Sequence, residues 1–243
     1  MGILRYTIPN GFTALSLLLG TASIVTMQVG DLELAAWMIV WCGLLDTVDG
    51  VAARLLKATS SFGAEFDSMA DLVAFGVAPA MLVFNAGLQI AGVELDSGQF
   101  WVLLTASGVF VLAGAMRLAR FNLTSDVPHG GWFTGVPITA AGGGLVSSMV
   151  IVLIRHEDFA TTLPLHLYLP ILMFVLGILM VSRVRFPKAV IRKSNIINAF
   201  QIINIVLIIY CGIFRLFPEY LFGIALFLLI AGIIAGRITR DTA

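Results

Sequence analysis

Residues 46–71 read DTVDGVAARLLKATSSFGAEFDSMAD. Four carboxylates (Asp46, Asp49, Asp67 and Asp71), two glycines (Gly50 and Gly63), Ala53 and Arg54 stand at fixed spacing there, in a chain that is otherwise one hydrophobic segment after another. With about 3.6 residues per helical turn, Asp46, Asp49, Gly50 and Ala53 fall on one stripe, and Asp67 and Asp71 stack one turn apart on the next helix. Two pairs of acids can then face each other across a helix hairpin. Glu65 points about 160° away from Asp67 on a continuous helix and is excluded from the group.

The setting of that stretch is a membrane. The chain has 243 residues, is 59% hydrophobic and only 12% charged, and its mean hydropathy is +1.01. No ordinary soluble domain of this length has such values. Spans of about 20 apolar residues are expected at roughly 8–29, 33–55, 67–91, 98–120, 133–154, 163–182, 195–214 and 218–236, so the expected fold class is an all-α polytopic membrane protein of about eight transmembrane helices. The links are short, and the whole of 1–243 reads as a single transmembrane domain. The first apolar run has an arginine before it and no small-residue cleavage site after it, so it reads as a retained helix. Cys42 and Cys211 lie inside apolar runs without metal-ligand spacing and read as buried hydrophobes.

Basic residues are sorted rather than clustered, which removes any basic patch for nucleic acid. Only Arg155 and Arg215 fall on one side of the expected topology, and the other 12 of the 14 lysines and arginines fall on the other. By the positive-inside rule the larger set is cytoplasmic, which puts both termini and the four aspartates at the cytoplasmic surface. Small residues four apart, Ala140, Gly144 and Ser148 and then Gly232 and Gly236, predict close helix packing, with packing inside the chain the expected form. His129, His156 and His166 are isolated from the acids in sequence and carry no catalytic expectation.

Four carboxylates converging in a poorly solvated site repel one another, so some take up protons or they share cations. Divalent cations with oxygen ligands answer this, and paired metals clamp both oxygens in a phosphoryl displacement. Gly50 and Ala53 leave space beside the acids for a flat ligand or a pyrophosphate, Gly63 clears space one turn before Asp67, and Arg54 offers a planar fork to a phosphate oxygen. A magnesium channel or cation-coupled transporter is the alternative from another class, but it would place acids near the midplane or in rings.

The run from Asp46 to Asp71 matches, at every fixed position, the DxxDGxxAR, eight residues, GxxxDxxxD signature of the CDP-alcohol phosphotransferases. Ile8-Pro9-Asn10 with Thr13, DSMADLVAFGVAPA from residue 67, MRLARFN at 116–122, FTGVPITAAG at 133–142 and VSRVRFPK at 181–188 resemble the phosphatidylserine synthases within that family. The resemblance implies a six-helix core over about 1–190 plus two extra C-terminal helices over about 195–236, and a homodimer in the membrane. It implies two divalent metal ions, Mg²⁺ or Mn²⁺, held by Asp46, Asp49, Asp67 and Asp71, with Asp71 also the general base. It implies that Gly50, Ala53 and Arg54, with Asn10 and Thr13, hold the CDP moiety. Donor and acceptor would be CDP-diacylglycerol and L-serine; inositol phosphate, glycerol phosphate or an archaeal lipid are the variants within the family. Arg117 and Arg120, three residues apart on one helical face, are candidates for a serine carboxylate or a lipid phosphate, and the positive-inside bias would equally put them there.

Overall fold

In the computed structural model, which describes residues 2–56, 60–124, 132–187 and 195–241, three of the helices begin where short polar side chains cap them. α1 spans Gly2–Gln28 and α2 Leu32–Leu55; between them Asp31 Oδ1 accepts the Leu34 amide at 2.9 Å. α3, Ser61–Asp71, starts on Ser60, whose Oγ accepts the Gly63 amide at 3.0 Å. α5, Gly98–Thr124, starts on Ser97, whose Oγ accepts the Phe100 amide at 3.1 Å. Each such cap is worth about 1 kcal/mol.

α3 runs without a break through a π-helical stretch, Leu72–Val77, into α4, Ala78–Gln89. A second π-helical stretch, Thr139–Val146, leads into α6, Ser147–Arg155, followed by the short α7, Glu157–Thr162, and by α8, Leu165–Val181. Two strands, β1 at Trp132–Thr134 and β2 at Arg185–Pro187, flank that region, and α9, Asn195–Phe214, and α10, Pro218–Asp241, complete the chain. Five stretches are long and apolar enough to cross a membrane, and three shorter apolar helices, Thr139–Arg155, Leu165–Val181 and Asn198–Phe214, accompany them. The protein is an all-α polytopic membrane protein.

Two boundaries differ from expectation. The third span begins at Ser61 rather than near 67, because the Ser60 cap turns part of the polar link into helix. The fifth begins near 139 rather than 133, because Trp132–Thr134 pairs antiparallel with Arg185–Pro187. The π-helical stretches carry no sequence period of their own. They face each other: a Cβ on Gly142 would collide with the Phe75 carbonyl, and one on Gly143 would lie 2.8 Å from the Phe75 ring. Only glycine permits that approach. Ser147 Oγ donates to the Gly142 carbonyl at 2.8 Å, satisfying an acceptor in the widened turn.

Gly232 and Gly236 do make close contacts, inside the chain and against a strand instead of a helix. Gly236 meets the Arg185 carbonyl, and Gly232 makes room for the buried Phe186 ring. α10 thus braces β2. One buried apolar cluster runs from Met27 on α1 to Leu221 on α10, around Trp37, Phe75 and Phe110, which are fully buried.

At the end of the bundle where α2 starts, charges are paired. Glu33 Oε1 accepts from Arg155 Nη2 at 2.7 Å, from Arg155 Nε at 3.0 Å and from Trp37 Nε1 at 3.2 Å, with Arg215 Nη2 at 3.8 Å. Arg155 also donates to the Arg215 carbonyl at 3.2 Å, His156 pairs with Glu219 at 2.7 Å, and Trp41 Nε1 donates to the Gly212 carbonyl at 2.8 Å. These bonds tie the α9–α10 turn to α2 and α6. Arg155 and Arg215, which the sequence set apart from the other basic residues, meet on one carboxylate.

Candidate active site

The last turns of α2 and the length of α3 bring the acids together. Carboxylate oxygens of Asp46, Asp49 and Asp67 all lie within 4.8 Å of one another. Asp71, one turn beyond Asp67 on α3, brings its carboxyl up against that of Asp46. Two carboxyl groups can meet in that way only with a proton or a cation between them. Asp49 is buried, 7% exposed, and accepts a hydrogen bond from Thr13 Oγ1 at 3.0 Å; the same hydroxyl lies 3.2 Å from the Pro9 carbonyl. Clustered oxygen ligands with a donor holding one of them fit a hard divalent cation and give it little reason to be anything softer.

The glycines and the first helix form a recess beside the acids. Asn10, Thr13, Gly50 and Ala53, expected near a nucleotide, and Gly63, expected to clear space for substrate, line one open cleft of about 170 Å³ together with Asp49 and Asp67. That volume holds a phosphate or part of a nucleotide. A Cβ on Gly50 would meet nothing within 4 Å, whereas one on Gly63 would lie 3.1 Å from both Asn10 Oδ1 and Ser60 Oγ. Gly50 therefore leaves room open, and Gly63 lets two polar side chains close on the cleft. Ser60 also lines it. Sequence reasoning passed over Ser60, although a serine just before a helical run is the ordinary N-cap signal. Arg54 lies in α2, but its side chain falls outside the described residues, as does His129.

The arginines of α5 part company. Arg117 is 7% exposed, and the charges it feels are those of Asp71, Arg120 and Asp46. Its Nε has no hydrogen-bond partner among the described residues, and its guanidinium carbon lies 5.8 Å from the Phe121 ring centroid. Arg120 instead donates Nη1 to the Val181 carbonyl at 2.8 Å and Nη2 to the carbonyls of Thr134 at 2.9 Å and Met180 at 3.1 Å. It holds β1 against the end of α8. Between α3 and α5, Ser68 Oγ donates to Asn122 Oδ1 at 3.1 Å, and Asn122 Nδ2 donates to Glu65 Oε2 at 3.2 Å. Glu65, exposed, thus faces α5 and not the other acids.

A larger cavity, about 850 Å³, lies between the α4–α5 link and α8, lined by Glu94, Gln99, His166, Ile171 and Phe174 among others. It shares no residue with the acid cluster. Size alone does not make a reactive site; convergent titratable groups do.

Residues 6–181 match the model of the CDP-alcohol phosphatidyltransferase family. The match ends with α8, so α9 and α10 lie beyond it. A Helicobacter pylori protein named CDP-diacylglycerol--serine O-phosphatidyltransferase is 38% identical over 184 residues, covering 75% of this chain and 73% of the relative. A Bacillus subtilis protein of the same name is 32% identical over 185 residues, 74% of this chain and 89% of the relative. An archaetidylserine synthase of Methanothermobacter thermautotrophicus is 28% identical over 183 residues, 74% and 70% of the two chains. The aspartates gathered at the end of α2 and along α3 and the extent of the match lead to one conclusion: this chain belongs to the CDP-alcohol phosphatidyltransferase family.

Proposed function

We propose that the protein transfers the phosphatidyl group of CDP-diacylglycerol to L-serine, releasing phosphatidylserine and CMP. The observation that carries this reading is the juxtaposition of three carboxylates within 4.8 Å with a cleft lined by Asn10, Gly50 and Gly63. Serine as acceptor draws on the relatives' names, which specify it for both a diacylglycerol and an archaeal lipid.

Asp46, Asp49, Asp67 and Asp71 would hold two divalent cations, Mg²⁺ or Mn²⁺, which when bound neutralise the carboxylates and the charge that develops on the phosphoryl oxygens. Thr13 keeps Asp49 oriented by donating to it. Asn10, Gly50, Ala53, Ser60 and Gly63 receive the cytidine diphosphate, with Arg54 a further candidate for its phosphates. Asp71 takes the proton of the serine hydroxyl as that oxygen bonds to the phosphorus bearing the diacylglyceryl group. The phosphoanhydride bond breaks in the same step, and its electron pair leaves with CMP. Asp71 suits this role because it sits one turn past Asp67 at the edge of the cluster away from the cleft. The acid end faces the cytoplasm in this reading, supported by the 12 of 14 basic residues assigned to that side.

Purified protein supplied with CDP-diacylglycerol and a panel of alcohols should release CMP fastest with L-serine, and mass spectrometry should identify phosphatidylserine. Turnover should stop after exhaustive metal removal and return with Mg²⁺ or Mn²⁺. Full turnover without metal would reject the role given to the aspartates, and a better acceptor than serine would reject the headgroup.

A further inference from the structure

Two arginines three residues apart on α5 meet different fates, and the difference points to how the acceptor is recognised. Arg120 is built into the scaffold: four carbonyls receive its terminal nitrogens, those of Val181, Thr134, Met180 and, at 3.4 Å, Ser182. The chain is shaped around it, since Gly135 has φ +79 and a Cβ there would lie 2.8 Å from Arg120 Nη2. Arg117 has no such engagement for Nε among the described residues, although it is the more deeply buried of the two. Leaving a buried donor of a charged group unpaired is destabilising. An anion that docks there recovers the loss.

Position says which anion. The cleft assigned to the nucleotide is lined from α1, α2 and α3, with Asp49 and Asp67 on its wall, and Arg117 is not part of it. Arg117 acts electrostatically on Asp71 and Asp46. In a direct displacement at phosphorus the attacking and leaving oxygens lie in line on opposite sides. CMP leaves on the side of the cleft, so Arg117 stands on the side of the attacking alcohol, beside the base. A guanidinium fork matches a carboxylate in bidentate fashion. With Arg120 occupied, α5 offers one cation, suited to a monoanionic carboxylate more than to a doubly charged phosphate ester.

We propose that Arg117, and not Arg120, binds the carboxylate of the incoming amino-acid alcohol and thereby sets acceptor specificity. This rests on the phosphatidyl transfer proposed above. Arg120 is a positioning residue that holds the end of α5 against β1 and α8.

The test compares L-serine with serinol, in which a hydroxymethyl group replaces the carboxylate, on purified full-length enzyme with CDP-diacylglycerol and saturating Mg²⁺. The wild type should favour serine. Arg117→Leu should lower kcat/KM for serine by about 10- to 100-fold, mostly through KM, and lower serinol turnover far less, so that the preference collapses. The serinol rate also reports that the variant is folded. Arg117→Lys, which keeps the charge and loses the fork, should fall between, and it carries the same comparison if the leucine variant cannot be purified. Equal losses for both acceptors would show that Arg117 serves only as a counter-charge to the aspartates, and the inference would be overturned with the transfer reading intact. A wild type that makes no phosphatidylserine would remove both.

Discussion

The two ends of α2 carry clusters of charge that differ in kind. Near its start Glu33 is matched by Arg155, Arg215 and a tryptophan N–H. About 20 Å further along the same helix, Asp46 and Asp49 meet more carboxylates, Asp67 and Asp71. The first cluster sets opposite charges against each other within the chain and ties the α9–α10 turn to the bundle. The second is not: like charges gathered in one place destabilise the fold unless something else neutralises them. Paired charge explains itself as architecture, and unpaired like charge in a membrane protein asks for a ligand. Substitutions at the two ends should therefore fail in different ways.

The largest effect belongs to the proposed base. Asp71→Asn should reduce kcat by about 10²–10⁴ while CDP-diacylglycerol still binds in the presence of metal, measured by equilibrium binding beside steady-state rates. Near-normal turnover in that variant would break the division of labour between Asp71 and the other acids.

A smaller loss is expected one bond away from the acids. Thr13→Val removes the hydroxyl that Asp49 accepts from, and metal affinity should weaken by about 10- to 100-fold, read from the Mg²⁺ concentration that restores half-maximal rate. An unchanged metal requirement would mean that Asp49 needs no help to stay in place.

At the paired end the signature should be stability without catalysis. Glu33→Gln leaves Arg155 and Arg215 without their carboxylate, yet the group is partly solvated, so the loss should be about 1 kcal/mol or less, seen as a modest drop in the thermal midpoint in detergent. Turnover of the folded enzyme should not change. A catalytic defect there would erase the contrast between the clusters.

The smallest effect is expected from Glu65→Gln. Glu65 sits two residues from Asp67 but faces Asn122 on α5, so rate and metal dependence should stay at wild-type values. Loss of metal dependence in that variant would place Glu65 in the cluster and overturn the facing of α3.

How much of this was legible in advance follows the range of the interactions. The spacing of Asp46, Asp49, Gly50 and Ala53, and of Gly63, Asp67 and Asp71, lies within single helices, where a 3.6-residue turn converts sequence distance directly into shared faces. The eight apolar stretches and the exclusion of Glu65 were readable for the same reason. Ser60 was legible and passed over. The division between Arg117 and Arg120 was not, because both lie on one helical face and only the carbonyls at the end of α8 and on β1, contributed from elsewhere in the chain, claim one of them.

The sequence by itself thus determined a helical membrane protein, its family and the residues that meet as acids, since apolar length and local periodicity leave their mark residue by residue. The tertiary structure alone decided the pairing of β1 with β2, the π-helical turns pressed together at Gly142 and Phe75, the strand that fills the glycine notches of α10 and the carboxylate shared by Arg155 and Arg215. Each of those joins segments far apart in the chain. Their partners are chosen by packing and by the satisfaction of buried polar groups, which no local pattern of residues encodes.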